Sequence, residues 1–111
     1  MDIKTLEEQV KAAITAFDNN RVALYAAAEK QGGDDAVNKL AGQYEALGIQ
    51  YEQLLANELA ANDPAYEDLS DQAARETKAL KESITTMNDI NETISVLSTV
   101  ITVVASIAAL V

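Results

Sequence analysis

Cysteine, histidine and tryptophan are absent from this sequence, and proline, glycine and aromatic residues are scarce. The 111 residues include one Pro, four Gly, four Tyr and one Phe. Without Cys the chain can form neither a disulfide nor a thiolate metal site. The absence of His also removes the most common general base. We therefore expect no catalytic residue, no metal site and no cofactor, and predict that the protein is not an enzyme.

Basic residues are also few, with 8 Lys and Arg against 18 Asp and Glu, for a net charge of −10. No Lys or Arg occurs between Leu40 and Ala74, a stretch that is rich in acids. Such a surface repels the phosphate backbone, so nucleic acid is excluded as a partner. It also disfavours electrostatic binding to anionic lipid. We interpret the acidic face as a solvated surface that keeps the protein soluble.

Apolar residues make up 49% of the chain, and most of them are Ala, Leu, Ile and Val at helical spacing. This composition predicts an all-α fold of one domain, 1–111. The fold class that we predict is an antiparallel helical hairpin plus a long C-terminal helix, in a coiled-coil-like bundle of three or four helices. The predicted helices are 3–30, 35–61, 64–88 and 90–111, the last two either separate or continuous.

The predicted hairpin has apolar side chains at alternating spacings of three and four, which is the pattern of a heptad seam. In the first helix Asn20 interrupts this pattern, which indicates either a kink or a polar residue that sets the register. Gly32 and Gly33 end the first helix. In the second helix Gly42 and Gly48 allow a neighbouring helix to approach closely. The predicted seam of that helix is Val37, Leu40, Tyr44, Leu47, Tyr51 and Leu54.

The remainder of the chain starts at Pro64, which we place at the first helical position behind Asp63 as the N-cap. The apolar pattern slips between Met87 and Ile90, where Asp89 and Glu92 form a capping box. The chain either bends there, giving four helices, or continues as one helix over 64–111. A continuous helix would be about 72 Å long and would overshoot the hairpin, so it would require a partner.

The C-terminal segment 93–111 has no charged residue and carries ten large aliphatic side chains among its Ala, Ser and Thr residues. Its length approaches the roughly 20 residues that span a bilayer. A hydroxyl stripe on one face, however, suits a packed helix interface. The segment is therefore either a bundle or oligomer core or a membrane segment. The hydroxyl stripe is Ser95, Thr99, Thr102 and Ser106, and the opposing seam is Ile94, Leu97, Ile101 and Val104.

Arg75, Lys78 and Lys81 form a basic cluster with helical spacing in this acidic chain. One interpretation is that these side chains pair within the helix with Asp71 and Glu82. The other is that they form a docking strip for the acidic stretch of another copy of the chain.

The function predicted from these features is a non-enzymatic interaction protein that self-associates or binds a protein partner through its seams and its apolar C-terminal helix. One alternative is a membrane-interacting protein that inserts 93–111, such as a pore-former, a translocator component or a tail-anchored adaptor. A second alternative is a soluble chaperone or immunity-type partner protein. The N-terminus lacks a basic and then apolar start, so we expect a cytoplasmic protein. Signal-independent secretion and membrane association are the alternatives.

Overall fold

The computed structural model describes residues 1–110 and confirms the all-α fold, since these residues form helices and no strand. The end predicted for the last helix, Val111, lies outside the described residues. The elements are α1 (Ile3–Asn19), α2 (Arg21–Ala56), a 3₁₀ helix (Glu58–Asn62), α3 (Tyr66–Thr86) and α4 (Ile90–Ala108).

Gly33 divides α2 into two arms, 21–32 and 34–56, because its backbone is not helical (φ 68°, ψ −161°). This combination of angles is accessible essentially to Gly alone. The chain reverses there, as two contacts across the hairpin show: Phe17 stacks on Tyr44, and Lys4 binds Glu58 with an N–O distance of 2.7 Å. The predicted end of the first helix at Gly32 and Gly33 is thereby confirmed.

Asn20 kinks the first side of this hairpin without reversing it. Its backbone leaves the helical region (φ −112°, ψ 11°), and its side-chain amide donates to the Ala16 carbonyl at 2.8 Å. Helical bonding resumes at once, because the Leu24 N–H donates to the Asn20 carbonyl at 2.8 Å. Of the two interpretations of Asn20, the kink is thus the one observed. The predicted helix 3–30 is interrupted at this residue and continues as the first arm of α2.

The second arm of α2 ends at Ala56, earlier than the predicted 61. The next residue, Asn57, turns its side-chain amide towards the end of α4 and donates to the carbonyls of Ala108 and Leu110 at 2.9 and 2.6 Å. The last carbonyls of a helix lack partners within it, so Asn57 serves as a cap for α4. The backbone then tightens into the 3₁₀ helix.

The start of α3 also differs from the prediction, because the helix begins at Tyr66 and not at Pro64. Asp63 still has a capping role: its carboxylate accepts from the N–H of Ala65 at 2.8 Å, in the turn that contains Pro64. Because of this turn the helix begins two residues later than predicted, and Ala65, not Asp63, precedes its first position.

A second reversal separates α3 from α4, so the continuous helix 64–111 is wrong. Met87 has left-handed backbone angles (φ 50°, ψ 27°) and ends α3. Asp89 is the N-cap of α4, with its carboxylate accepting from the N–H of Asn91 at 3.0 Å. The other bond of the predicted capping box, in which the Glu92 carboxylate would accept from the Asp89 N–H, is not formed in residues 1–110. The hydroxyls of Ser83 and Thr93 lie 2.6 Å apart across this hairpin.

The two hairpins lie side by side and form a four-helix bundle of 44 × 20 × 19 Å. The helix α1 packs against α2 and α3, and α4 packs against the same two helices. Helices α1 and α3 run in the same direction, with the Met1 amine 3.4 Å from a Glu67 carboxylate oxygen. The second arm of α2 runs parallel to α4, because Gln31 at the hairpin tip accepts from the N–H of Ile90 and Asn57 binds the far end.

Candidate functional site

The predicted seam residues all contribute to one continuous apolar core. Five of them are fully buried, and the other five are half-buried and pack against the first five. The two classes alternate along each helix, as expected when one edge of a seam faces the bundle axis and the other faces a neighbour. The fully buried residues are Leu40, Leu47, Leu54, Leu97 and Val104. The half-buried residues are Val37, Tyr44, Tyr51, Ile94 and Ile101.

The two seams belong to helices that pack against each other within one chain, the second arm of α2 and α4. The buried face of α4 is wider than the predicted seam, because Thr93, Val100 and Ile107 are also buried. The apolar side of α4 is therefore covered by α2 and α3 of the same chain. A surface for another molecule must be sought on the outside of the bundle.

The outside of α4 carries most of the predicted hydroxyl stripe. Ser95, Thr102 and Ser106 are exposed, whereas Thr99 is half-buried, and Ser98 joins the exposed set. Three of these hydroxyls bond carbonyls of their own helix one turn back: Thr99 to Ser95 at 3.2 Å, Thr102 to Ser98 at 3.0 Å and Ser106 to Thr102 at 2.9 Å. Hydroxyls that bond their own backbone need no external partner.

By length and composition, α4 is the one helix in residues 1–110 that could cross a membrane. Its apolar window has a mean hydropathy of 1.6, and 39% of that window is buried in the bundle. Core helices of soluble proteins combine the same length and apolar composition.

The outer surface between α1 and α3 contains a groove of about 880 Å³. Small residues, Ala12, Ala74 and the buried Thr77, line it. Its α3 side carries the basic cluster predicted from the sequence, accompanied by Glu82, and its α1 side carries Glu8. We call this feature the basic groove, after Arg75, Lys78 and Lys81.

The basic cluster does not form the intrahelical pairs considered from the sequence. Within residues 1–110 the ion pairs join Met1 to Glu67, Lys4 to Glu58 and Arg21 to Asp18. The three basic side chains of the groove take no part in these pairs. Two polar atoms of the lining, Gln9 Oε1 and Thr77 Oγ1, are buried and lack a hydrogen-bond partner in the described chain. Buried polar atoms without partners are uncommon in folded proteins.

A second outer feature lies on the second arm of α2, where Glu45, Ile49 and Glu52 are exposed at spacings of four and three. These residues share one face of the helix, and we call them the acidic ridge. The side chain of Ile49 is 47% exposed.

The same arm contains Gly42 and Gly48, and a Cβ atom added at either of them would meet no atom of a neighbouring helix within 4 Å. The close helix approach predicted at these glycines is thus absent from the described chain.

Glu7 on α1 is the charged side chain that burial perturbs most clearly, with 5% of its surface exposed. Desolvation raises the pKa of its carboxyl, and the nearby Lys4 opposes this rise. Tyr66 is buried too, and its burial raises the pKa of the phenol.

In residues 1–110 no three His, Cys, Asp or Glu side chains lie close enough together to hold a metal ion.

Sequence reasoning identified the basic cluster but not the groove beside it. The groove depends on the packing of α1 against α3, whose residues are distant in sequence. The small residues Ala12 and Ala74 are the sequence signal that could have indicated the groove, since small residues at an interface leave room between two helices.

Comparison with protein-family models, curated proteins and solved structures finds no match to this chain.

Proposed function

We propose that this chain is a non-enzymatic helical interaction protein that self-associates through the outer surfaces of its four-helix bundle. The observation that carries this proposal is the basic groove, an open groove of about 880 Å³ with a floor of small side chains. Concave surfaces with an apolar floor and a few charged groups are typical of binding sites. The absence of His and Cys from the sequence supports a role in binding and not in catalysis.

We expect the contact between copies to form on the outer surface of the bundle and not through the seams. The seams on α2 and α4 are covered within the chain, so a partner could use them only after the bundle opened. The outer surface needs no such opening. Four large apolar side chains are also exposed there: Val22, Ile49, Leu55 and Leu59.

The test of this proposal is the solution mass of the intact chain, measured by sedimentation over a concentration series with and without mild detergent. We expect a species heavier than the 11.9 kDa monomer that forms with rising concentration and needs no detergent to stay in solution. A chain that remains monomeric up to about 1 mM would contradict self-association, because even weak specific contacts are populated there.

A second candidate function is membrane interaction through α4, and the bonding of its hydroxyls favours it. Because Thr99, Thr102 and Ser106 bond carbonyls of their own helix, the outer face of α4 would bring few unpaired polar groups into lipid. Insertion would require α4 to leave α2 and α3, and so to expose the core that it now covers.

Liposome flotation tests this candidate with a double variant on the outer face, Ser98→Lys/Thr102→Lys. Each charge near the centre of a membrane helix costs about 2.5–3.5 kcal/mol, so the variant should lose any flotation that the native chain shows. Both positions are exposed, so the folded bundle should tolerate the change. Equal flotation of the two proteins would show that α4 does not insert.

A further inference from the structure

We infer that the basic groove binds the acidic ridge of a second copy of this chain. The inference rests on the proposed self-association and assigns its two surfaces: Arg75, Lys78 and Lys81 on one copy, and Glu45, Ile49 and Glu52 on the other. Both surfaces are exposed in the described structure, and they lie on different helices of the bundle.

Charge complementarity is the first argument for this occupant. The chain has a net charge of −10, yet three bases and two acids line the groove. An acidic helix is therefore attracted to this groove and repelled from most of the remaining surface. The stretch from Leu40 to Ala74 has no Lys or Arg, and the acidic ridge is a helical part of it. Opposite charges across an interface select the partner and its register.

The spacing of the charges is the second argument. Glu45 and Glu52 are seven positions apart, which corresponds to about 10 Å along a helix axis. Arg75 and Lys81, six positions apart on α3, correspond to about 9 Å. Since all three bases line the groove, two acids on one helix can reach the two outer bases at the same time.

The shape of the two surfaces is the third argument. Ile49 lies between the two acids and is 47% exposed, so it can enter the groove over its floor of Ala12, Ala74 and Thr77. Gly48 beside it adds no side chain, and the space around its Cα is open. Small residues on both surfaces let two helices approach closely, so a bulky side chain at either place would hold them apart.

The groove of one copy and its own ridge lie on different sides of the same bundle, so the contact forms between molecules. Because the two surfaces differ, the contact is heterologous. It either closes into a ring or continues as a chain of copies. A heterologous contact has a useful consequence, since a copy with a damaged groove still has an intact ridge.

The experiment reverses the charges of each surface separately in the intact chain. The groove variant is Lys78→Glu/Lys81→Glu, and the ridge variant is Glu45→Lys/Glu52→Lys. Like charges facing each other across an interface are strongly unfavourable, so either variant should weaken self-association by about 100-fold in sedimentation velocity. The matched control, Lys30→Glu/Lys39→Glu, changes the net charge as much as the groove variant at exposed positions outside both surfaces. It should associate nearly as the native chain does.

Mixing the variants gives the decisive measurement. A groove variant and a ridge variant should bind each other in equimolar complexes, because their native surfaces match and their reversed surfaces again carry opposite charges. Circular dichroism verifies that both remain helical. If charge reversal unfolds either protein, the neutral changes Lys78→Gln/Lys81→Gln and Glu45→Gln/Glu52→Gln replace it, with an expected weakening of about tenfold.

The outcomes separate this inference from the proposed function. A native chain that stays monomeric over the whole concentration series overturns self-association, and the inference with it. A native chain that associates while all the variants associate equally well overturns the inference alone. Association lost in both reversals, kept in the control and regained on mixing supports both.

Discussion

The second arm of α2 and the helix α4 lie side by side and run in the same direction, yet they differ completely on their outer faces. Inside the bundle they are equivalent: fully buried and half-buried seam residues alternate in both, and both contribute to the same core. Outside, the arm of α2 presents Glu45 and Glu52 to solvent, whereas α4 presents Ser95, Ser98 and Thr102.

The inner face of each helix therefore determines where the helix packs, and the outer face determines which other environments the helix could enter. Charged side chains confine the arm of α2 to water or to a partner of opposite charge. Hydroxyls that bond their own backbone leave α4 compatible with water, protein and lipid alike.

The largest effects are expected from the inner faces, and they test whether the two helices are equivalent there. Leu47→Ala in α2 and Leu97→Ala in α4 each truncate a fully buried side chain. Each should lower the free energy of unfolding by about 2–5 kcal/mol through lost burial and a residual cavity. Denaturant unfolding of the two variants and of the exposed control Ile49→Ser measures this. A cost below about 1 kcal/mol for Leu97→Ala alone would mean that α4 is not firmly part of the core.

The next effect concerns how the two helices begin. The second arm of α2 follows Gly33, whose φ of 68° and ψ of −161° suit Gly alone, whereas α4 follows Met87 in the left-handed helical region. Gly33→Ala should destabilise the fold by about 1–3 kcal/mol because the backbone becomes strained. Met87→Gly relieves the strain of the left-handed conformation but also removes a half-buried side chain that packs against the core, so the two effects oppose each other. Thermal melts should therefore show a smaller change for Met87→Gly than for Gly33→Ala.

A smaller effect is expected on the outer face of the α2 arm. Gly48 is helical and has open space around it. Gly48→Ala should therefore raise the free energy of unfolding by about 0.5–1 kcal/mol, because Ala loses less backbone entropy in a helix. If Gly48 also permits the contact between copies, the same substitution should leave association intact, whereas Gly48→Leu should weaken it. Denaturant unfolding and sedimentation of the two variants separate stability from association.

The smallest effect is electrostatic and contrasts the exposed acids of α2 with the buried Glu7 of α1. Burial raises the pKa of Glu7 in the folded protein above its unfolded value. The folded state therefore binds a proton more readily, and its stability falls as the pH rises from the unfolded pKa through the folded pKa. Glu7→Gln removes this penalty and should stabilise the fold at neutral pH, with a gain that shrinks towards acid pH.

The matched control for this prediction is Glu8→Gln, which changes an exposed carboxyl beside Glu7. It should not reproduce the gain in stability at neutral pH, because its side chain is exposed and no burial penalty is removed. Denaturant unfolding of the two variants and the native chain between pH 4 and 8 makes the comparison. Equal pH profiles for all three proteins would show that Glu7 titrates normally in the folded state.

Much of the architecture follows from local features of the sequence. The seam spacing predicts the helices and most of their buried residues, because a helical face repeats every three or four residues. Gly33 marks the first reversal and Asp89 marks the start of α4, since each matches a backbone geometry that its own side chain favours or permits. Helix ends are harder to predict where a distant residue takes part. Asn57, just after the end of α2, donates to the Ala108 carbonyl at the end of α4, and no residue near it in sequence predicts this hydrogen bond.

Four properties can be predicted from the amino-acid sequence alone: the all-α class, the position of the first reversal, the acidic outer surface and the uncharged character of 93–111. These properties depend on residues within about one helical turn of one another. Three others emerge from tertiary packing: α3 and α4 fold back on each other, α4 is covered by its own chain, and α1 and α3 enclose a groove beside the basic cluster. Each of these joins residues far apart in sequence, so it depends on how two complete hairpins pack and not on any local pattern.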